Sequence, residues 1–75
     1  MNRREVIERL TRFGVAEYPS RGKGGERLLI RETEPGSRRG PRYTLGYHGD
    51  NAVVRTGTLN ALLRRLGIAR EDFFE

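Results

Sequence analysis

Apolar residues recur at a helical spacing in two segments of the chain, one near each end. In the first segment they fall on one stripe with the 3.6-residue period of an α-helix: Val6, Ile7, Leu10 and Phe13. In the second segment the stripe consists of leucines: Leu59, Leu62, Leu63 and Leu66. The pattern predicts one helix over residues 2–13 and another over about residues 57–66.

Residues that begin and end helices flank both segments. Asn2 has a side chain that can cap the first helix, and Gly14 can end it in the left-handed conformation. Thr56 is the expected N-cap of the second helix, and Gly67 is its expected stop. These flanking residues agree with the helix limits that the apolar stripes predict.

Three segments between the helices have the composition of β-strands. Residues 15–18 form a short candidate that ends at Pro19. Leu28 to Ile30 lie at the centre of a second candidate of about six residues. Residues 42–47 alternate between polar and apolar side chains and are expected to return beside the second strand.

The order of these elements predicts an α+β fold. We expect the sequence α-β-β-β-α to place both helices on one face of a three-stranded antiparallel sheet. Residues 1–75 are expected to form this single domain, closed by a last turn over residues 70–74.

Length and composition exclude several classes of protein. Seventy-five residues leave room for one small core, and the lack of cysteine excludes disulfides and cysteine-based zinc sites. A single histidine, His48, cannot build a histidine-rich metal site, so neither a metal nor a cofactor is expected. No apolar run is long enough to span a membrane, which predicts a cytoplasmic protein.

The charge of the chain indicates a polyanionic partner. Fifteen Lys and Arg against ten Asp and Glu give a net charge of +5 and a pI near 10.7. Fourteen of the fifteen cations are arginine, which pairs bidentately with phosphate and stacks on bases. This composition favours nucleic acid, although an acidic protein partner or simply a GC-rich genome fits it too.

Two turns carry residues suited to binding or cleaving a phosphodiester. The glycine-rich turn at residues 20–25 can present successive N–H groups to an anion, with charge from Arg21 and Lys23. The alternative for this turn is a hairpin that needs positive φ angles. His48 is a natural general acid or base, but a lone histidine is also common as a surface residue.

The last predicted strand and the loop before it carry further candidates. Arg38, Arg39 and Arg42 form a cationic segment that can straddle phosphates or lie in a solvated hairpin tip. Tyr43 and Tyr47 can stack on bases or lie half-buried in the sheet.

Short motifs along nearly the whole chain match one family pattern in order. The chain has Lys23-Gly24-Gly25-Glu26 where that pattern has a K-G-[SG]-H turn, and Gly57-Thr58-Leu59 opens the leucine-striped helix. Further positions match in the same order: Gly14, His48, Gly67 and Glu71-Asp72-Phe73. The ordered set resembles the HicA (YcfA-like) toxin family.

The resemblance implies a fold similar to double-stranded-RNA-binding domains and a toxin that cleaves mRNA until a HicB antitoxin covers it. The family's catalytic histidine aligns with Glu26, which departs from the pattern. A carboxylate can accept the 2′-OH proton but is a poor proton donor at neutral pH, so Glu26 as base would need His48 as acid. The alternatives are a domain that binds RNA without cleaving it and a basic domain that binds an acidic protein.

The sequence thus predicts an RNA-binding domain that is monomeric or held in complex with an antitoxin. The residues expected to contact phosphate are Arg21, Lys23, Gly24, Gly25, Arg27, Arg42 and Thr58. Thr58 belongs to this set because the N–H groups at the start of a helix favour anions.

Overall fold

The computed structural model describes residues 1–19, 25–46, 49 and 51–75. Within these ranges the elements are α1 (Arg3–Thr11), β1 (Val15–Pro19), β2 (Glu26–Arg31), β3 (Arg42–Gly46), α2 (Thr56–Leu66) and α3 (Arg70–Phe73). The predicted order α-β-β-β-α is confirmed, and the predicted last turn is the short helix α3. Several predicted positions lie outside the described residues: Arg21, Lys23, Gly24, Tyr47 and His48.

β2 is the middle strand of an antiparallel sheet with the order β1-β2-β3. Leu29 lies near its centre, opposite Glu17 of β1 on one side and Tyr43 of β3 on the other. Because side chains alternate between the two faces of a strand, Leu29 shares one face with these partners, and Leu28 and Ile30 lie on the other face.

The helices cover the face of the sheet that carries Leu29. The buried residues of this layer come from both long helices, all three strands and the C-terminal segment: Val6, Leu10, Val15, Leu29, Leu45, Leu59, Leu62, Leu63, Leu66, Ile68 and Phe73. All four leucines of the predicted second stripe belong to it, which confirms that stripe as the core face of α2. Burying one such side chain contributes roughly 1.5–3 kcal/mol, so this layer is the main source of stability.

The predicted start of α1 is confirmed. The Asn2 side chain accepts a hydrogen bond from the Glu5 N–H at 2.9 Å, and the Glu5 carboxylate accepts one from the Asn2 N–H at 3.1 Å. This reciprocal pair is a capping box, which satisfies two N–H groups that the helix itself cannot. The predicted end of the helix is two residues too late: Thr11 is the last helical residue and Arg12 the C-cap, and Gly14, with a φ of +78°, lies in the turn that follows.

The predicted N-cap of α2, Thr56, is wrong by one residue. Thr56 is the first helical residue, and Arg55 is the N-cap, with extended φ and ψ angles of −67° and 149°. The chain before it pairs with the N-terminus, where the Val54 N–H donates to the Met1 carbonyl at 2.9 Å. Because this long-range pairing keeps the chain extended up to Val54, the turn into the helix falls at Arg55.

The C-terminal end of α2 is held by Arg31 of β2. Gly67 ends the helix with a φ of +69°, as predicted. The Arg31 guanidinium donates to the Leu66 carbonyl at 3.1 Å and to the Gly67 carbonyl at 2.8 Å. A cation at this end of a helix satisfies its last carbonyls and complements its dipole.

The loop between β2 and β3 returns along β2 and depends on a glycine. The Arg31 N–H donates to the Pro41 carbonyl, and the Thr33 N–H donates to the Arg39 carbonyl, both at 2.9 Å. Gly40, between these two bonds, has a φ of +138°, and a Cβ there would overlap the Arg31 carbonyl. No L side chain fits this position without moving the main chain of β2.

Gly40→Ala should destabilise the fold by an amount on the order of 3 kcal/mol or more, because overlap with main chain adds to backbone strain. Gly36→Ala is the matched control in the same loop. Its φ is +80° but nothing lies within 4 Å of the added Cβ, so only the left-handed conformation is penalised, by about 1–2 kcal/mol. Urea unfolding measures both variants, and equal losses would contradict the overlap at Gly40.

Candidate nucleic-acid interface

A cleft of about 430 Å³ opens at the end of the sheet where β2 begins and β3 ends. Its walls come from β3, the segment before α2, the first turn of α2 and the start of α1: Leu45, Gly46, Ala52, Val53, Val54, Arg55, Thr58 and Arg3. Gly46 is the register partner of Glu26 in β2. The start of β2 and the N-terminus of α2 therefore lie at the same end of the molecule.

The N-terminus of α2 meets this cleft with N–H groups, and the described residues that line the cleft include no acidic side chain. Arg55 makes no side-chain hydrogen bond to the helix, and the first turn contains no carboxylate. The first main-chain bond of the helix runs from the Leu59 N–H to the Arg55 carbonyl at 2.9 Å, so the amides before Leu59 have no acceptor within the helix. These amides, the positive end of the helix dipole and the Arg55 cation all favour an anion.

A partly buried ion pair lies beside the cleft. Arg3 is only 3% exposed, and its guanidinium forms a hydrogen-bonded ion pair with the Glu17 carboxylate of β1. The Arg3 N–H also donates to the Ala52 carbonyl at 2.8 Å, which ties α1 to the segment that leads into α2.

Sequence reasoning missed Arg3, although the sequence contains a signal for it. Arg3, Val6 and Leu10 follow one another at the spacing of a single helical stripe, and all three are buried. A cation on the apolar stripe of a helix indicates a buried charge that needs a partner. The stripe does not identify the partner carboxylate, because Glu17 is 14 residues from Arg3 along the chain and contacts it only in the folded protein.

The structure brings several predicted site residues to the cleft end of the sheet. Gly25, with a φ of +76°, precedes β2, and the exposed Glu26 begins it. Arg27 is half-buried and pairs in register with Leu45, a residue of the cleft wall. By strand alternation the Arg27 side chain belongs to the face that carries the helices, and the Glu26 side chain belongs to the opposite face. Thr58 itself lines the cleft.

Arg42 does not join these residues. It begins β3, where it pairs with Ile30, and it lies four residues from Gly46 along the strand. At roughly 3.3 Å per residue this separation is about 13 Å. The Arg42 guanidinium donates to the Arg38 carbonyl at 2.9 Å, so Arg42 is part of the loop side of the sheet.

Two further expectations concern metals and membranes. Within residues 1–19, 25–46, 49 and 51–75, no three His, Cys, Asp or Glu side chains are grouped so that they could hold a metal ion. In the same part of the chain, no helix combines the length and the apolar character needed to cross a membrane.

The predicted roles of Arg21, Lys23, Gly24 and His48 stay predictions, because these residues lie outside the described ranges.

Positive charge is concentrated in the part of the chain that forms β3 and α2. From Pro35 to Arg70 inclusive, the sequence contains seven arginines and a single carboxylate, that of Asp50. Within α2 itself Arg64 and Arg65 are both exposed. The sequence from β3 to α2 therefore carries most of the net positive charge of the chain.

The face of the sheet opposite the helices carries a polar cluster around Glu32. Its carboxylate accepts hydrogen bonds from the Tyr18 hydroxyl at 2.7 Å, the Arg38 N–H at 2.7 Å and the Gly36 N–H at 3.1 Å. The Arg38 guanidinium lies 4.3 Å from the centroid of the Tyr18 ring, in cation–π geometry. Arg38 is thus engaged with the protein and is not simply part of a solvated hairpin tip.

This cluster shifts two titrations in opposite directions. The hydrogen bond from Tyr18 is the main cause that lowers the pKa of the Glu32 carboxyl, and the Arg38 N–H adds to it. The same hydrogen bond raises the pKa of the Tyr18 hydroxyl, because the nearby carboxylate disfavours a phenolate. Folding therefore favours the ionised Glu32 together with the protonated Tyr18.

Comparison of the chain with protein-family models, curated proteins and solved structures gave no match.

Glu32→Gln should lower the melting temperature at pH 7, because the charged acceptor for three hydrogen bonds is lost. The Glu32 carboxyl is stabilised in its ionised form, so its contribution is present above its ordinary pKa of 4.5 and is lost as pH falls through the lower pKa of the folded state. The difference between parent and variant should therefore vanish at acid pH. Glu34→Gln is the control, since the Glu34 side chain makes no hydrogen bond in the described part of the chain. Thermal melts from pH 2 to 8 test this, and a difference independent of pH would contradict it.

Proposed function

We propose that this chain is an RNA-binding domain that holds the phosphate backbone at the cleft end of its sheet. The observation that carries the proposal is the N-terminus of α2, which opens onto the cleft with N–H groups that have no acceptor within the helix, no carboxylate in its first turn and the Arg55 cation. A phosphate oxygen can accept hydrogen bonds from such amides, and the dipole of α2 favours its charge.

The choice of RNA among polyanions is supported by the order of elements and by the family resemblance. The α-β-β-β-α order with both helices on one face is the arrangement that the resemblance to HicA toxins implies. Gly57-Thr58-Leu59, one motif of that resemblance, lies in the first turn of α2, beside the cleft. The proposal is therefore a HicA-like domain, similar to double-stranded-RNA-binding domains.

Phosphate contacts in this proposal come from the cleft and from the start of β2 at the same end of the sheet. Thr58 and Arg55 contribute from α2, while Gly25 and Arg27 contribute from the start of β2. The segment before β2 would add Arg21, Lys23 and Gly24. Arg42, about 13 Å away along β3, would contact a different phosphate of the same RNA.

We extend the proposal to cleavage as the family resemblance suggests. A base at Glu26 would take the proton of a ribose 2′-OH, and the 2′ oxygen would attack phosphorus. The bond between phosphorus and the 5′ oxygen would break as His48 donates a proton to that leaving oxygen. The reaction needs neither a metal nor a cofactor.

The physiological setting that goes with this proposal is a type II toxin–antitoxin pair in the cytoplasm. A HicB-like antitoxin would be the protein partner, and the domain would be monomeric or bound to that partner. Two other proposals fit the same charge: an RNA-binding domain without cleavage, and a basic domain that binds only an acidic protein.

Arg55→Asp should weaken RNA binding and stabilise the fold at the same time. Aspartate is a strong N-cap, so it should add about 1 kcal/mol to stability while its carboxylate occupies the anion position and repels phosphate. We expect RNA affinity to fall by at least about tenfold. Arg55→Asn caps without charge and Arg55→Gln removes the charge without capping, so these controls separate the two effects. Unchanged RNA affinity in Arg55→Asp would remove α2 from the interface.

Filter binding with double-stranded RNA, single-stranded RNA and DNA of equal length identifies the ligand. An RNA-binding domain of this class should prefer structured RNA, because the 2′-OH and the A-form shape distinguish RNA from DNA. Equal affinity for all three, lost together as salt rises, would favour the basic protein-interaction alternative.

Glu26→Gln and His48→Ala should each abolish RNA cleavage and leave RNA binding within about threefold of the parent, because neither side chain is proposed as a main phosphate contact. Cleavage is followed on labelled mRNA with highly purified protein. Full activity in both variants would eliminate the base and acid roles, and inactivity of the parent protein would favour binding without cleavage.

A further inference from the structure

The outer edge of β3 is open to another strand. β3 lies at one end of the strand order and, in the described part of the chain, pairs with β2 alone. Arg42, Thr44 and Gly46 along this edge are all exposed. An open edge with accessible main chain is a template for strand addition.

The hydrogen-bond register shows which groups of β3 point outward. The Arg31 N–H donates to the Pro41 carbonyl, so Arg31 and Pro41, which lie opposite each other, are a hydrogen-bonded pair of the ladder. Hydrogen-bonded and non-hydrogen-bonded pairs alternate in an antiparallel ladder, so Tyr43 bonds to β2 and the N–H and C=O of Arg42 and Thr44 point away from it. No hydrogen bond to these outward groups of Arg42 and Thr44 occurs within the described ranges.

A groove accompanies this edge on the helix side. It has a volume of about 360 Å³ and lies between β3 and the exposed side of α2: Tyr43, Ala61, Arg64 and Arg65 line it. On the opposite face of the sheet, alternation places the side chain of Arg42 beside the same edge. An added strand would therefore meet arginine on both of its faces.

We propose that the β3 edge binds an extended, acidic segment of a partner protein as a fourth strand. Main-chain bonds to Arg42 and Thr44 would hold the segment. Carboxylates on one face of it would meet Arg42, and side chains on the other face would enter the groove beside Arg64 and Arg65. No carboxylate of β3 or α2 competes for these cations, because neither element contains one.

A second copy of this chain fits the edge poorly. Antiparallel pairing of β3 with itself would bring two sets of Arg42, Arg64 and Arg65 together without an acidic residue between them, and like charges across a strand pair are destabilising. Charge complementarity thus selects an acidic strand. This inference does not rest on the proposed RNA function, because its main-chain groups and its groove belong to the edge of β3 and not to the N-terminus of α2. Arg42 is the one residue that both proposals use.

A soluble peptide of roughly ten residues in which glutamate alternates with threonine is a suitable probe. Amide NMR during titration should show slowed hydrogen exchange at Arg42 and Thr44. Two control peptides, one with lysine in place of glutamate and one N-methylated at alternate residues, should not bind.

Thr44→Pro removes one outward N–H while leaving every bond to β2 in place, as proline does on an edge strand. It should weaken peptide binding by at least about tenfold, whereas Thr44→Val, which keeps the N–H, should stay within about twofold. Arg42→Gln combined with Arg65→Gln provides an independent test that leaves the main chain intact. Its control, Arg12→Gln, removes one cation from the end of α1.

Each other outcome would overturn the proposal. One is a lack of peptide binding by the parent protein. Another is binding that is unchanged in Thr44→Pro and in the double arginine variant. Self-association through the same amides would assign the edge to a second copy, and protection of Arg42 and Thr44 by structured RNA alone would assign it to RNA.

Discussion

Leu29 lies at the centre of the middle strand and is fully buried under both helices. The packing of one sheet face against the apolar stripes of the two helices is the constraint on which the other features of the fold depend. A chain of 75 residues has helices for only one face of a three-stranded sheet. The second face, one strand edge and one end of the sheet must therefore be stabilised or used in another way. The polar cluster, the open edge of β3 and the cleft correspond to these three places.

The second face shows how a small domain can cover a sheet without a helix. Ile30 is only 1% exposed although it lies opposite the helical layer. The loop after β2 returns along that strand, and Glu32 holds the loop through the N–H groups of Gly36 and Arg38 while accepting from the Tyr18 hydroxyl of β1. A charged acceptor with several donors is stronger than a neutral one. One carboxylate thus joins two strands and a loop where the chain has no further apolar stripe to offer.

The elements of the fold could be predicted from the sequence because each depends on neighbours a few residues away. The leucine stripe of α2, the capping box at Asn2 and the stop at Gly67 are local signals, and the structure confirms them. The start of α2 at Arg55 and the buried charge of Arg3 depend on pairing between the N-terminus and residues 52–54. The prediction of Thr56 as the N-cap was wrong because no local sequence pattern reveals this long-range pairing. For the site, spacing alone could not reveal that Arg42 lies far from Gly25 and Thr58.

The two proposed surfaces are physically connected, since β3 runs from Arg42, on the open edge, to Gly46, in the wall of the cleft. An acidic strand added along this edge would end at the mouth of the cleft, where its charge would repel an RNA phosphate. Binding at one surface would then weaken binding at the other, and by linkage the effect would be equal in both directions. The proposed RNA binding would therefore be suppressed by a partner that never covers the N-terminus of α2.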